Sequence, residues 1–329
     1  MRCAPMNSPR PESAGVAGVP AEFSLIYRHF RPLAGPGALD LRDDAAVFAP
    51  PPGCEIVIAA DAMVAGVHFL PEDPPETIGR KLLRVNLSDL AAMGAAPLGY
   101  LMTTAFPKGI EDGWVARFAE GLALDQAEFG VTLLGGDTVS TPGPMTLSLT
   151  ILGHVAPGRA LRRHGARAGD GVWVSGTIGD GAFGLRAIRG QVADAEGFLA
   201  ARYRLPQPRL ALGQALVGVA HAAMDVSDGL MQDFAHICRE SGVGGVIEAA
   251  RVPLSPATRM AAVGHQALVP FHGGDDYELI FTASDDSAVV ALGMPVTRIG
   301  WVVDAGQGVR LLAGSGAEID LPAKGWSHF

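Results

Sequence analysis

The chain has 329 residues, 48% of them hydrophobic and 18% charged, so it is long enough for one large or two ordinary domains and is neither disordered nor fibrous. Its 43 glycines and 24 prolines indicate many tight turns and disfavour an all-helical fold. The net charge of −9 does not fit the basic surface with which nucleic-acid binders neutralise phosphates, so we expect no nucleic-acid partner.

The start of the chain reads as a leader. Residues 1–20 are rich in Pro, Ala, Gly and Ser and lack the apolar stretch of a secretion signal, so we expect a flexible leader over residues 1–21. No run of about 18 apolar residues occurs, which predicts neither a membrane span nor a membrane partner. The three cysteines, Cys3, Cys54 and Cys238, lie far apart and form no CxxC pair. This spacing disfavours disulfides and structural zinc and predicts reduced thiols in the cytoplasm.

The next part of the chain alternates between helical and extended patterns. Apolar residues recur at helical spacing from Glu22 onward, so structure is expected to begin there. The patterns that follow predict, in chain order, a strand over 55–60 that ends at Asp61, a helix over 77–93 that contains Asp89, a helix over 112–129, a strand over 131–134 that breaks at 135–137, and a strand over 145–155.

A basic connector over residues 157–169 then interrupts the pattern. We place the domain boundary there, which gives an N-terminal domain over 22–156 and a C-terminal domain over 157–329. Beyond the connector the patterns predict, in chain order, a strand over 172–175, a helix over 182–189, a helix over 209–222, a helix that opens at 227–228 and ends at Gly242, and a strand over 278–282. Both halves mix helices with strands, so the predicted fold class is α/β (α+β).

The placement of the aspartates points to a functional site. They lie at the ends of predicted elements or within an apolar helix face, where aspartate is unfavourable without a partner. These residues are Asp43, Asp44, Asp61, Asp89, Asp137, Asp225 and Asp228. Oxygen ligands without nearby His or Cys suit magnesium, calcium or manganese rather than zinc, so we expect the carboxylates to converge on hard cations. The alternative is helix capping or turn formation, strongest for Asp228 and weakest for Asp89.

Familiar nucleotide motifs are mostly absent. There is no P-loop G-x-x-x-x-G-K-[ST]. Residues 179–184 satisfy G-x-G-x-x-G and permit a dinucleotide site, but the next acidic residues follow too closely, so turn glycines are favoured. Ser227 lacks the G-x-S-x-G context of a nucleophile, and a hydroxyl at a helix start suits phosphate oxygens better. His68, shortly after Asp61, is the histidine best suited to a functional role, a satisfied structural histidine being the alternative.

Six internal strings and the closing segment resemble the thiamine-monophosphate kinases. They are DDAA at 43–46, AGVHF at 65–69, VNLSDLAAMGA at 85–95, GGDT at 135–138, DVSDGL at 225–230, GGDDYEL at 273–279 and KGWSHF at 324–329. The resemblance extends from about Glu22 to Phe329, and the strings NLSDLAAMGA and GGDDYEL are its most specific parts.

The resemblance implies the aminoimidazole-ribonucleotide-synthetase-like architecture, in which the sheet of an N-terminal α/β domain pairs across a homodimer and a C-terminal α/β domain follows. It also implies the reaction: the γ-phosphoryl of ATP passes in line to the phosphate of thiamine monophosphate, giving thiamine diphosphate and ADP. The acceptor is already an anion, so no dedicated base is required, and alignment with charge neutralisation by several Mg²⁺ ions suffices.

The resemblance also implies roles for individual residues. Magnesium would be held by Asp44, Asp61, Asp89, Asp137, Asp225 and Asp228, of which Asp44, Asp89 and Asp225 serve catalysis most directly. ATP would contact Gly136, Asp137, Arg163 and Ser227, and thiamine monophosphate would contact His68, Asp275 and Trp326. Asp43 is expected to orient the metal ligands without contacting the metal itself.

Three positions depart from the family pattern, and two other functions stay open. Ala59-Ala60 stand where Ser-Thr is common, Asp275 replaces a glutamate, and Arg42 replaces a glycine. We expect the protein to be active and these changes to alter its affinity for magnesium. One alternative is another ATP-dependent enzyme of the superfamily, of the aminoimidazole ribonucleotide synthetase or selenophosphate synthetase type, for which Cys3 is a poor reactive thiol. The other is a non-catalytic sensor of metal and nucleotide.

Overall fold

A computed structural model describes residues 20–321 and Gly325. Its helices are α1 (Ala21–Leu25), α2 (Pro75–Ala92), α3 (Asp112–Phe129), α4 (Asp180–Ile188), α5 (Phe198–Arg204), α6 (Leu210–Leu216), α7 (Leu230–Ser241), α8 (Pro256–Ala261), α9 (Val269–His272) and α10 (Asp286–Ala291). Its strands are β1 (Glu55–Val64), β2 (Ala96–Pro107), β3 (Thr132–Thr141), β4 (Thr146–Val155), β5 (Gly171–Ser175), β6 (Ala222–Asp225), β7 (Val243–Glu248), β8 (Leu279–Ala283), β9 (Val296–Asp304) and β10 (Val309–Leu312).

The first four strands form one sheet in the order β1-β4-β2-β3. Strand β4 pairs antiparallel with both β1 and β2, and β2 pairs parallel with β3. Alternate residues of the central strands, among them Leu149 and Met102, face a core that α2 and α3 complete with Leu82 and Phe118. The strand period of two therefore divides this sheet into an inner face covered by helices and an outer face that is more exposed.

The remaining strands form a second sheet in the order β10-β7-β9-β5-β8-β6. All residues of β5, β6 and β8 are buried, which explains why these strands read as short continuous apolar runs. One face of the sheet packs against α7 through Phe234 and Ile237. The other face carries Trp173 and Phe281, which pack against α6 and the end of α2.

Helix α2 joins the two sheets. Fourteen of its 18 residues are buried, including the charged Lys81 and Arg84, because the N-terminal sheet lies on one side and the C-terminal half of the chain on the other. Its last turn packs against α6, where a Cβ atom added to Gly213 would lie only 2.0 Å from the carbonyl oxygen of Ala91. Only glycine permits this approach of the two backbones.

The helices predicted over 77–93 and 112–129 are confirmed by α2 and α3, and the predicted mixture of helices and strands in both halves is confirmed as well. The helix predicted over 209–222 is wrong in its second half. It ends at Leu216, Val217 is extended, Gly218 has φ of 85°, and Ala222 already begins β6. Continuous apolar residues in this segment fit a buried strand as well as a helix.

Two predicted strand ends are also wrong. Strand β1 continues through Asp61 to Val64, and β3 runs through Gly135, Gly136 and Asp137. The two glycines do not break β3 because a bulge in its pairing with β2 absorbs the irregularity. Strands β2, β7, β9 and β10 were not predicted.

No helix or strand occurs between β4 and β5, the segment where the boundary was predicted. The domain limits 22–156 and 157–329 stay predictions, and the predicted leader lies almost entirely outside the described residues. Among the described residues, no helix has the length and apolarity that crossing a membrane requires.

We expect Gly213→Ala to destabilise the protein by about 1–3 kcal/mol, because the new methyl group forces α6 away from α2. Urea denaturation monitored by circular dichroism measures this change. Gly113→Ala is the matched control: Gly113 also lies in a helix, but nothing lies within 4 Å of an added Cβ atom there, so this substitution should be neutral or slightly stabilising. Equal stability of the two variants would contradict the proposed close contact.

Candidate functional site

Two carboxylates of the N-terminal half meet at the junction of β1 and α2. The backbone N–H of Asp61 in β1 donates to the side-chain oxygen of Asn86 at 3.1 Å. The amide nitrogen of Asn86 in turn donates to the carbonyl of Leu82 one turn earlier in α2 at 2.9 Å. Asn86 is fully buried, so these bonds fix β1 against the helix, and Asp89 follows within one turn.

A third carboxylate comes from the other sheet. Asp225 ends β6, is 5% exposed, and accepts a 2.7 Å hydrogen bond from the hydroxyl of Ser88. Ser88 precedes Asp89 on α2, so one helix presents one carboxylate and holds another. Carboxylates from β1, α2 and β6 thus lie near one another where the two halves of the chain meet, a region called the cleft below.

The electrostatics show that these groups share one neighbourhood. Burial, followed by repulsion from Asp225 and Asp61, raises the pKa of Asp89 to about 8. Burial also raises the pKa of Asp225 to about 6, although the Ser88 hydrogen bond opposes the shift. Asp61 lies on an exposed strand, but partial desolvation of its carboxyl group and repulsion from Asp228 raise its pKa. The Arg163 guanidinium is a nearby cation: its attraction to the Asp89 and Asp225 carboxylates opposes the rise in their pKa values but is smaller than the effects that raise them.

Asp228 reaches this cleft from the loop before α7, and it does not cap that helix. The helix begins at Leu230, and Gly229 at its cap position makes no side-chain bond. The carboxylate of the buried Asp233 accepts the N–H groups of Asp228 and Gly229 instead, each at 3.1 Å. The capping alternative for Asp228 is therefore wrong, and its side chain accepts a hydrogen bond from Gln232 at 3.1 Å.

The predicted substrate residues His68 and Asp275 lie on either side of one buried lysine. The Nδ1 atom of His68 accepts the N–H of Val64 at 3.0 Å, so the neutral ring carries its proton on Nε2. Lys81 donates to the carbonyl oxygen of His68 at 3.0 Å, and its Nζ atom lies 3.3 Å from a carboxylate oxygen of Asp275. Trp326 lies outside the described residues.

Asp275 is tied to the loop that carries Ser227. Its φ of 68° is unusual for a residue other than glycine, and its N–H donates to the carbonyl of Ser227 at 2.9 Å. The N–H of Tyr277 donates to the carbonyl of Val226 at 2.8 Å. These bonds connect the loop of Ser227, a predicted ATP contact, with Asp275, a predicted substrate contact.

Asp44, Gly136 and Asp137 form a second group. With Asp43 they line a cavity of about 660 Å³ between the N-terminal segment and the sheet. The register aligns Asp137 with Thr103 of β2, whereas Asp61 aligns with the inward-facing Leu149. Neighbouring rows of a sheet project to opposite faces, so the structure places Asp137 and Asp61 on opposite faces of the N-terminal sheet. The predicted aspartates thus form two groups within a single chain.

The glycine-rich run over 179–184 is occupied from inside the protein. Asp276, 1% exposed, accepts the N–H groups of Gly179 at 2.7 Å and Gly181 at 3.0 Å. A buried carboxylate therefore fills the position that a dinucleotide phosphate would take, and the dinucleotide alternative is contradicted.

Sequence reasoning missed Asn86, Ser88, Lys81 and Asp233. The first two stand inside the string 85–95, where polar residues interrupt an apolar helix, a usable signal. Lys81 and Asp233 read as ordinary residues of helix surfaces, and only the packing shows that both are buried.

The donor set of the cleft consists of carboxylate oxygens, which suits magnesium in its chemistry. No three acidic, histidine or cysteine side chains within residues 20–321 and Gly325 lie close enough together to hold one ion. An ion held here by one or two carboxylates would need water or phosphate oxygens as its further ligands, which is the usual coordination of magnesium.

The raised pKa of Asp89 predicts how stability depends on pH without added metal. The folded state holds this proton up to a pH of about 8, whereas the unfolded chain releases it near 4, so its contribution is complete at acidic pH and is lost as the pH rises towards 8. Asp89→Asn stays neutral and should become more stable than the wild type as the pH rises from about 5 to 8.5. Thermal denaturation of both proteins in chelator measures the difference, and a constant difference would contradict the prediction.

Comparison with known proteins agrees with the fold. The family described as AIR synthase related protein, N-terminal domain, matches residues 42–155, and the family described as AIR synthase related protein, C-terminal domain, matches residues 167–313. The thiamine-monophosphate kinase of Caulobacter vibrioides is 44% identical over 331 aligned positions, covering 96% of this chain and 93% of that protein.

Two solved structures are similar as well. The crystal structure of thiamine-monophosphate kinase from Stenotrophomonas maltophilia is 40% identical with a TM-score of 0.79, and the match covers 88% of this chain and 96% of that one. The structure of AaThiL complexed with AMPPCP and TMP is 31% identical with a TM-score of 0.75, covering 87% and 91%. Because the curated relative matches nearly end to end and both AIR synthase related domains occur in order, the chain belongs to the thiamine-monophosphate kinase family and has its two-domain α/β fold.

Proposed function

We propose that this protein transfers the γ-phosphoryl group of ATP to the phosphate of thiamine monophosphate, giving thiamine diphosphate and ADP. The observation that carries the proposal is the concentration of carboxylates in the cleft between the domains. Burial and mutual repulsion raise the pKa of Asp89 to about 8 and that of Asp225 to about 6. Several carboxylates close together repel one another when the protein is alone, so the cleft favours the binding of cations. Two anionic reactants require the same cations in order to approach each other.

The family membership supports the choice of substrates. The curated relatives are named thiamine-monophosphate kinase, and AaThiL was solved in complex with AMPPCP and TMP. On this basis Arg163 and Ser227 are the proposed ATP contacts at the cleft. Gly136 and Asp137, the other two predicted ATP contacts, lie in the outer-face cavity and within one chain do not face the same ATP. His68, Asp275 and Trp326 are the proposed contacts of thiamine monophosphate, with the aromatic side chain suited to a cationic thiazolium ring.

The chain's own contribution to the reaction is positioning. The acceptor is a phosphate oxygen that is already ionised near neutral pH, so no side chain needs to remove a proton. The Arg163 guanidinium, a nearby cation in the cleft, is suited to charge-assisted hydrogen bonds with phosphate oxygens. Asp61, Asp89, Asp225 and Asp228 would hold Mg²⁺ in the cleft. Asp44 and Asp137 lie on the outer face of the N-terminal sheet and would hold a separate Mg²⁺ there. Bound magnesium would neutralise the charge that develops on the transferred phosphoryl group.

The alternatives predict different outcomes with the same protein. A different enzyme of the superfamily would turn over ATP without forming thiamine diphosphate. A sensor would bind magnesium and ATP without turnover. The relatives' names favour neither alternative.

We expect the purified protein with ATP and Mg²⁺ to convert thiamine monophosphate, but not free thiamine, to thiamine diphosphate, measured by chromatography of the products. Asp89→Asn should lower kcat by about 10² or more, because it removes a charged ligand at a constant volume. The exposed Asp304 at the end of β9 supplies the control, since Asp304→Asn should leave the rate unchanged. Wild-type turnover by Asp89→Asn would refute the metal-ligand role, and ATP binding without product would favour a sensor.

We also propose that the N-terminal sheet pairs across a homodimer. Within the described residues β1 pairs only with β4, so its other edge has no partner strand. The outer face of β1 exposes Ile56 at 38% and Ile58 at 64%. A long edge strand with exposed branched apolar residues is a surface that soluble proteins usually cover. A second copy of this chain is the partner that we propose, because the family resemblance implies an N-terminal sheet that pairs across a homodimer.

The dimer proposal is tested at the most exposed position of β1. Ile58→Lys should convert a dimer into a monomer, because two lysines would face each other in a dehydrated interface. Light scattering after size-exclusion chromatography measures the mass. Val290→Lys is the matched control, since Val290 is 67% exposed on α10 and should leave the dimer intact. A wild-type monomer, or dimeric Ile58→Lys, would refute the proposal.

We place the protein in the cytoplasm as a further proposal. The two cysteines in the described part of the chain, Cys54 and Cys238, are free thiols, which is consistent with a reducing compartment.

A further inference from the structure

We propose that Lys81 is a positioning residue that fixes the thiamine-monophosphate side of the cleft through Asp275 and the backbone of His68. The inference rests on the proposed function, because it assigns a role to a residue behind the proposed substrate contacts.

Lys81 is buried to an extent that requires partners. Its residue surface is 2% exposed, and an unpaired ammonium group at such a position would be strongly unfavourable. The carbonyl of His68 accepts a 3.0 Å hydrogen bond from Nζ, and a carboxylate oxygen of Asp275 lies 3.3 Å away. The ring of Tyr203 completes the site, with its centroid 3.6 Å from Nζ, which is cation–π geometry.

These partners come from three separate parts of the chain. His68 follows β1, Tyr203 lies on α5, and Asp275 lies in the loop before β8. The hydroxyl of Tyr203 also donates to the carbonyl of His68 at 3.3 Å. The lysine is therefore the common contact of all three segments, two of which the Tyr203 hydroxyl also joins directly.

The Asp275 side chain needs such an anchor. Asp275 is 32% exposed at its side chain and has a positive φ, so its own backbone conformation is strained rather than stabilising. Its neighbour Gly274 lies so close to the Ser227 loop that an added Cβ atom would be 2.3 Å from the carbonyl of Ser227. The backbone of the loop is thus fixed by packing, whereas the direction of the carboxylate is fixed by Lys81.

The position of Lys81 on α2 also relates it to Ser88. Lys81 and Ser88 are seven residues apart, so they lie on one face of the helix about 10 Å apart along its axis. Each holds one carboxylate of the C-terminal half: Lys81 holds Asp275, and Ser88 holds Asp225. A single helix thereby sets the spacing between the proposed substrate side and the proposed metal side.

Lys81→Met tests the inference, since it keeps the length of the stem and removes the charge. We expect the KM for thiamine monophosphate to rise by about 10- to 100-fold, with the KM for ATP and the kcat at saturation changed by less than about threefold. Arg80→Met is the matched control. Arg80 is the preceding residue of α2, and its guanidinium pairs with Asp125 at 2.8 Å on α3, away from the cleft, so its KM values should stay at the wild-type level.

A double-mutant cycle separates positioning from a general structural role. In an Asp275→Asn background, Lys81→Met should add less than about a twofold further change in the KM for thiamine monophosphate, because the carboxylate that it orients is gone. Effects of the two substitutions that multiply in full would refute the inference, as would an unchanged KM in Lys81→Met.

A second variant guards against misfolding. Lys81→Gln removes the charge but retains a donor for the His68 carbonyl, and it should raise the same KM. Loss of folding in both variants would show a structural residue and refute the inference. A wild-type protein that makes no thiamine diphosphate would refute the proposed function together with the inference, whereas normal wild-type turnover with unchanged Lys81 variants would refute the inference alone.

Discussion

The architecture depends on one buried helix that belongs to both halves of the molecule. Helix α2 completes the core of the N-terminal sheet, and its last turn packs against α6 through a contact that only Gly213 allows. Because the helix is enclosed on nearly all sides, the polar residues that it carries have fixed directions. Ser88 then reaches Asp225 at 2.7 Å across the boundary between the sheets. A shift of α2 would separate the carboxylates of the cleft.

The second constraint is electrostatic. Burial raises the pKa values of Asp61, Asp89 and Asp225, and repulsion from Asp61 raises those of Asp89 and Asp225 further. Attraction to Arg163 offsets only part of the shifts of Asp89 and Asp225. A protein that needed only stability would favour apolar residues at these buried positions. The cleft instead retains negative charge, which weakens the metal-free fold as the pH rises and strengthens the binding of divalent cations. The proposed phosphoryl transfer between two anions uses the same charge arrangement.

Sequence reasoning predicted the parts of the site that break a pattern. Asp89 stands on an apolar helix, and the sequence therefore predicted both the helix, which the structure confirms, and a functional role for Asp89, which stays a prediction. The reasoning failed where a pattern has two physical solutions. The apolar run after Arg209 fits a helix or a buried strand, and it contains both, divided at Val217 and Gly218. Asp61 and Asp137 read as strand ends, but both lie within strands and project to opposite faces of the sheet. Face and register depend on pairing partners, which the local sequence does not specify.

The two groups of aspartates give the dimer proposal a mechanistic meaning. Asp44 and Asp137 line a cavity on the outer face of the N-terminal sheet, whereas Asp61, Asp89, Asp225 and Asp228 share the cleft on the side of α2. The exposed residues of β1 that we propose to be dimer contacts lie on the same outer face as Asp137. A partner subunit seated there would bury the rim of this cavity. Burial would raise the energetic cost of the negative charge on the carboxylates that line it, so the cavity would bind cations more tightly. Magnesium binding and dimerisation are then expected to favour each other, because each reduces the energetic cost of the other.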